Sequence, residues 1–285
     1  MIKGLLCTVN GLKQIDVGAT KELTLRVSVA SLVEVLFESP DNGRQMLTLE
    51  RAATLQASEG RSDIVVTTKP FGGAVRLISP HALKDVIGNF HYDSDRSRQE
   101  GDFRIQINPA SWQMIKEICR EHAKKTGRGI LDSSPERELA EEFEDCLRIR
   151  ITPDQYDLQR RDLIVEEIPL ATDNMRARGI PTVRVYYVYE ARIKSAELIN
   201  RILLADRKRY SDEHLREMAR EDSKRSGRGK ANAIVTLPLD DVMDIYTSIP
   251  LEKRSEPVRV GQYQLDGNIP AVLRNIDHPR YQRYP

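Results

Sequence analysis

Carboxylates crowd one short segment of this 285-residue chain. Between positions 132 and 148 there are seven acidic and two basic residues, although the whole chain carries a formal net charge of only +1. On a helix that turns about 100° per residue, four of these acids fall on one side. They are Glu138, Glu141, Glu142 and Asp145. Carboxylates at spacings of three and four repel each other, and a divalent cation would remove that repulsion.

Two interpretations of this acidic helix are open. A Mg²⁺ or Mn²⁺ ion held by carboxylates also binds phosphate oxygens, which would suit a phosphoryl-type substrate. Alternatively the face is simply solvated, and Arg137 and Arg148 form ordinary surface pairs with Glu141 and Glu144. The charge pattern alone does not decide between them.

The order of residue types favours the first interpretation. Residues 137–142 (RELAEE) resemble the REUxEE core of the Nudix hydrolases, in which U is a bulky aliphatic residue. Phe71-Gly72-Gly73 is similar to the glycine pair that precedes this motif, and 234–242 (IVTLPLDDV) is similar to the strand and helix start near the end of that fold. The resemblance covers roughly residues 60–250. The loop half of the motif is missing, since Gly129 stands where the family has a glutamate.

This resemblance implies a Mg-dependent hydrolase of a nucleoside diphosphate-type substrate, in which a metal-activated water attacks a phosphoanhydride. The implied ligands of the Mg²⁺ or Mn²⁺ cofactor are Glu138, Glu141 and Glu142. Arg137 would orient one of these glutamates through a charge-assisted hydrogen bond. The residues implied to contact substrate are Gly72, Gly73 and Arg76.

The predicted strands and helices position these residues. They do not alternate regularly along the chain as in repeated βαβ units. The sequence therefore predicts an α/β fold, a Nudix-like α/β/α sandwich with a mixed sheet. The predicted parts are a β-rich extension at 1–60, a Nudix-like domain at 61–250 with an insertion at about 79–130, and a C-terminal tail at 251–285.

Local signals set several of the expected elements. Runs rich in β-branched residues predict strands at 23–29, 64–68 and 182–191, with a weaker candidate at 45–49, and alternation of apolar and polar residues predicts another strand at 103–107. The sequence Pro-Asp-Asn-Gly at 40–43 predicts a turn between the apolar run 33–37 and the next strand.

Serine, proline and glutamate at 133–136 predict the start of the acidic helix, which should run to about Leu147. Apolar residues spaced by three and four predict a buried stripe along it, formed by Leu139, Phe143, Cys146 and Leu147. The polar stretch 88–102 predicts an exposed loop, in which His91 is a candidate substrate contact.

Composition excludes several classes of protein. Hydrophobic residues make up 40% and charged residues 31% of the chain, a balance that argues against wholesale disorder. No apolar run is long enough for a membrane span and no signal-peptide layout is present, so we expect no membrane partner and a cytoplasmic location. The three cysteines, Cys7, Cys119 and Cys146, fit neither a disulfide framework nor a zinc site, and are expected to be reduced thiols.

Other functions stay open as alternatives. The first is a catalytically inactive nucleotide sensor or protein-interaction module with a Nudix-like fold. A weaker one is association with nucleic acid through residues 201–230, which hold ten bases and six acids. Nucleic acid is nevertheless not the expected partner, because mixed charges of this kind are usually a solvated helix surface. A nucleotide-type small molecule is the expected partner, and a homodimer is an open alternative.

Overall fold

The computed structural model describes residues 24–58, 61–126, 129–171, 179–226 and 229–285. In chain order the strands are β1 (Leu25–Glu38), β2 (Gln45–Ser58), β3 (Arg61–Lys69), β4 (Phe71–Ala74), β5 (Arg76–Leu77), β6 (His91–Tyr92), β7 (Arg104–Ile107), β8 (Leu131–Asp132), β9 (Tyr156–Ala171), β10 (Pro181–Ile193), β11 (Lys230–Pro238), β12 (Val258–Val260), β13 (Tyr263–Leu265) and β14 (Tyr281–Tyr284). The helices are α1 (Pro80–Ile87), α2 (Asp95–Glu100), α3 (Trp112–Ala123), α4 (Pro135–Leu147), α5 (Ala196–Asp206), α6 (Asp212–Ser226), α7 (Leu239–Ser248) and α8 (Ile269–Val272).

Strand β1 lies at the centre of a large mixed sheet. Along one side it pairs in parallel with β10, from Arg26 opposite Thr182 to Leu36 opposite Arg192. Its other side pairs in turn with β7, β4 and β2, all antiparallel. The order across the sheet is β12-β13-β3-β2-β1-β10-β9-β14, and β11 adds to β2. The chain thus brings three separate segments to one edge of the same strand.

Helices and connecting segments cover both faces of this sheet. Because side chains alternate along a strand, Val27, Val29 and Val33 of β1 point into the main core together with residues of α1, α3, α4 and α5. Leu32 points the other way and packs in a smaller cluster that includes Ala271 of α8. Covering both faces explains why β1 is apolar and buried over most of its length.

The predicted α/β class with a mixed sheet is confirmed. The predicted turn at 40–43 is confirmed as well, since Ser39 N donates to the carbonyl of Arg44 at 2.8 Å and Gly43 has φ of 68°. Residues 25–29 of the strand predicted at 23–29 and the neighbouring apolar run belong to one longer strand, β1, whereas Leu23 lies outside the described residues. The weaker candidate at 45–49 extends over the 14 residues of β2.

The prediction of an exposed loop at 88–102 is wrong in part, because the segment contains β6 and the helix α2. Ser94 caps α2 by accepting a hydrogen bond from Ser97 N at 3.1 Å. Asp93 just before it forms a buried ion pair with Arg26, 2.7 Å from the guanidinium Nη2 to Oδ2. The polar residues of this segment therefore make caps and buried pairs as well as contacts with water.

The predicted C-terminal tail contributes β12, β13 and β14 to the sheet. Of the cysteines, Cys119 is buried and Cys146 partly buried, both as free thiols, whereas Cys7 lies outside the described residues. Within the ranges that the structure describes, no helix is both long and apolar enough to cross a membrane.

Glu34 of β1 should make stability depend on pH. It is 1% exposed and paired with Arg161. Burial raises the pKa of Glu34 from 4.5 to about 7; Arg161 opposes this shift and Glu190 adds to it. Between these pH values the folded protein holds a proton that the unfolded chain has released, so the free energy of unfolding falls as pH rises, by about 3 kcal/mol.

Urea denaturation at about pH 5 and pH 8 tests this expectation, with Glu34→Gln as the comparison. The wild type should lose more stability over that interval than the variant, because glutamine carries no titrating proton. Other carboxyls with raised pKa values contribute equally to both proteins and cancel in the difference. Equal losses in the two proteins would show that Glu34 does not titrate in this way.

Candidate functional site

Helix α4 carries the acidic residues that the sequence singled out. Pro135 occupies its first turn, as predicted, and acids at its start suit the helix dipole. Leu139 and Phe143 are fully buried. The ring of Phe143 stacks on that of Phe71 in β4, with 5.2 Å between the centroids. This packing holds the helix directly against the strand that contains the glycine pair.

Glu138 lies on the backbone of Gly73. The residue is only 5% exposed. A Cβ atom built on Gly73 would be 1.8 Å from Oε2 of Glu138, so the carboxylate occupies the space that any other residue would fill. Gly72 has a different role, because its φ is +146° and a Cβ there would meet the backbone oxygen of Ser31 at 2.1 Å. One glycine admits the carboxylate and the other allows β4 to pair with β1.

A cavity of about 350 Å³ opens beside Glu138. Three arginines and four carboxylates face it. Its lining consists of Ala74, Arg76, Glu100, Asp102, Arg104, Arg137, Glu138 and Glu141. The structure therefore brings Arg76, Arg137, Glu138 and Glu141, all predicted from the sequence, to one cavity, which we call the α4 pocket.

Charge is partly balanced inside the α4 pocket. Arg137 lies 2.6 Å from Oε1 of Glu138 and 3.4 Å from Oε1 of Glu141. Burial raises the pKa of Glu138 to about 7; Arg137 opposes the shift, and the nearby carboxylates of Glu141 and Asp102 add to it. Mg²⁺ and Mn²⁺ prefer oxygen ligands, and the carboxylates that repel each other in this concave pocket offer such ligands. Among the three glutamates that line the pocket, Glu141 is the most exposed, with a side chain 57% accessible to solvent.

Glu142 faces a different group of residues. Its carboxylate, that of Glu50 in β2 and the thiol of Cys146 offer ligand atoms that lie within 4.8 Å of one another. Glu50 is fully buried and lies 2.7 Å from Nζ of Lys69. Burial and the neighbouring Glu50 raise the pKa of Glu142. Among the described residues no other three acidic, His or Cys side chains meet so closely, so the three predicted metal ligands are divided between two neighbouring places on α4.

Three charged residues of the α4 pocket were not singled out from the sequence. Glu100, Asp102 and Arg104 come from the segment interpreted as an insertion, at the end of α2 and the start of β7. A backbone bridge between Arg76 and Asp102 brings that segment to the pocket. The alternating pattern around Arg104 predicted a strand, but nothing local indicates that the strand pairs with β1 beside the glycine pair.

His91 and the basic stretch lie elsewhere. His91 faces a separate open cavity of about 610 Å³, together with Phe90 and Lys84, and does not line the α4 pocket. In the basic stretch, Arg201 pairs with Glu197 at 2.8 Å and Arg220 with Glu213 at 2.9 Å. These are the surface ion pairs of mixed-charge helices.

The residues that resemble the Nudix hydrolases lie in α4, in the glycine pair of β4, and in the segment 234–242 at the end of β11 and the start of α7. The contact between Glu138 of α4 and Gly73 of β4 is observed in the structure and does not follow from the resemblance. In comparisons with known proteins, no family model, no curated protein and no solved structure matches the chain.

Proposed function

We propose that the α4 pocket binds a divalent-cation complex of a phosphoanhydride, such as a nucleoside diphosphate derivative, and hydrolyses it. The observation that carries this proposal is that three arginines and four carboxylates face one cavity beside the buried Glu138. Guanidinium groups bind phosphate oxygens in bidentate fashion, and carboxylates hold Mg²⁺ or Mn²⁺. The sequence resemblance supports the same chemistry.

The ligand chemistry of the pocket suits such a cation, although among the described residues only the ligand atoms of Glu50, Glu142 and Cys146 already meet within 4.8 Å. In this proposal Glu138, Glu141 and Asp102, whose carboxylates line the pocket, would move together to hold the cation. When bound, the ion would activate water and screen the charge of the diphosphate. Glu142 faces Glu50 and is not part of this donor set.

The chain's own groups have separate tasks in this proposal. Arg137 holds the carboxylates of Glu138 and Glu141 in position through its two short contacts. Arg76 and Arg104 would orient the phosphate groups at the mouth of the pocket. The buried carboxylate of Glu138 faces the pocket, and in its ionised form we assign it the role of accepting a proton from the attacking water.

Glu138→Gln should lower phosphate release at least about 100-fold, because the amide neither accepts the proton nor provides a charged ligand. The assay measures phosphate released from a panel of nucleoside diphosphates and their derivatives with Mg²⁺ or Mn²⁺. Glu144→Gln, at an exposed position of the same helix, is the matched control and should behave as wild type. If both variants release phosphate at the wild-type rate, the assignment of the pocket is wrong.

A nucleotide sensor without turnover is the second candidate. This candidate is favoured by Gly129, because the Nudix motif that the sequence resembles has a glutamate at this position. In that case Mn²⁺ with a nucleotide should raise the melting temperature of the wild type and not that of Glu138→Gln, while no phosphate appears. Both versions of the proposal assign the protein a nucleotide-type partner in the cytoplasm.

A further inference from the structure

A second cavity, of about 330 Å³, opens beside the start of α4 and shares no lining residue with the α4 pocket. Ser133, His122 and Tyr189 face it from three different parts of the fold. Ser133 lies between β8 and α4, His122 belongs to the last turn of α3, and Tyr189 belongs to β10. Sequence spacing gave no sign that these residues meet.

The hydroxyl of Ser133 lies at the centre of this group. Its Oγ is 2.9 Å from Nε2 of His122 and 2.9 Å from the hydroxyl of Tyr189. Neighbouring contacts hold Ser133 and His122 in place. The carbonyl of Ser133 accepts a hydrogen bond from Ser31 Oγ at 2.9 Å, and the ring of His122 meets that of Tyr187 edge-on at 5.3 Å.

A serine hydroxyl within hydrogen-bond reach of an imidazole is the arrangement that nucleophilic catalysis requires. The imidazole must be neutral to accept the serine proton. Burial lowers the pKa of His122; Asp132 opposes that shift and Arg160 adds to it. The ring is therefore in its basic form at neutral pH.

We propose that Ser133 and His122 are a nucleophile and general base that hydrolyse small carboxylic esters bearing an anionic group. Two cationic side chains, Arg160 and Lys125, and one carboxylate, Glu136, line the same cavity, and the excess of positive charge would hold this group. The proposal concerns a site separate from the α4 pocket and does not depend on the function assigned there.

The reaction balances with water as the only co-reactant. Ser133 Oγ attacks the ester carbonyl carbon while its proton passes to Nε2 of His122, and the carbonyl electron pair moves to oxygen. When this pair returns, the bond to the leaving alkoxide breaks and His122 gives it the proton. Water then attacks the acyl group on Ser133 by the same route, which releases the carboxylic acid and restores the serine.

A fluorophosphonate probe tests the nucleophile directly, with intact mass and peptide mapping as readouts. Wild-type protein should gain one adduct on the peptide that contains Ser133, and Ser133→Ala should lower the labelling rate at least about tenfold. Ser134→Ala is the matched control, because that neighbouring serine makes no side-chain cap hydrogen bond to α4. His122→Gln should slow labelling of Ser133 by a similar factor.

Hydrolysis of two esters tests the anionic preference. The Arg160→Gln variant should lose at least about tenfold in kcat/KM towards mono-4-nitrophenyl succinate and much less towards 4-nitrophenyl acetate. An unlabelled wild-type protein, or an adduct on another peptide, overturns the proposal even if Ser133→Ala does not fold. Equal labelling of wild type and folded Ser133→Ala overturns it as well.

Discussion

Phe143→Ala is expected to lower the free energy of unfolding by about 4 kcal/mol. Phe143 is fully buried and stacks on Phe71, so its removal leaves a cavity between α4 and β4. The same contact positions Glu138 over the glycine pair. We therefore expect the variant also to lose any stabilisation by Mn²⁺ and nucleotide. Urea denaturation followed by circular dichroism measures the first effect, and thermal shift measures the second.

Leu204→Ala is the control for this prediction. Leu204 is a large apolar residue of a helix as well, but it is 63% exposed. Its truncation should change stability by no more than about 0.5 kcal/mol. A Phe143→Ala variant that is as stable as Leu204→Ala would mean that α4 does not pack on β4 as described.

Gly72→Ala is expected to destabilise the protein by about 3 kcal/mol. The residue has φ of +146°, and an added Cβ would meet the backbone oxygen of Ser31 at 2.1 Å. Backbone atoms cannot rotate away as a side chain can. The register in which Leu32 pairs with Gly72 would have to shift, and with it the strand that carries the neighbouring Gly73.

Gly88→Ala separates the steric effect from the conformational one. Gly88 also has a positive φ, of +78°, but an added Cβ would find nothing within 4 Å. Because its ψ is −150°, a backbone conformation that residues other than glycine rarely adopt, this variant should lose about 2 kcal/mol from backbone strain alone. Melting temperatures of both variants, measured side by side, check the difference. Equal losses would indicate that close contact with β1 contributes nothing.

Residues in α4 show which features could be predicted. The Ser-Pro-Glu signal and the apolar spacing predicted a helix ending near Leu147, and α4 ends there. Leu139 and Phe143 of the predicted stripe are fully buried, while Cys146 is only partly buried. Helix starts and faces are local properties, because caps and a period of 3.6 residues act within a few turns.

The composition of the two sites could not be predicted in the same way. Asp102 and Arg104 reach the α4 pocket because β7 pairs with the same edge of β1 as β4 does. Glu50 meets Glu142 across more than 90 residues of sequence. His122 and Ser133 are eleven residues apart, yet they belong to separate elements.

By itself, the sequence determined an α/β class and an acidic helix with a buried apolar stripe, since propensity, capping and periodicity depend only on residues within short segments. Only the tertiary structure decided which carboxylates share a cavity with arginines, which one lies on Gly73, and which serine meets a histidine. Those neighbours depend on strand pairing and helix packing between distant segments, whose geometry is set by burial and backbone hydrogen bonding of the whole fold.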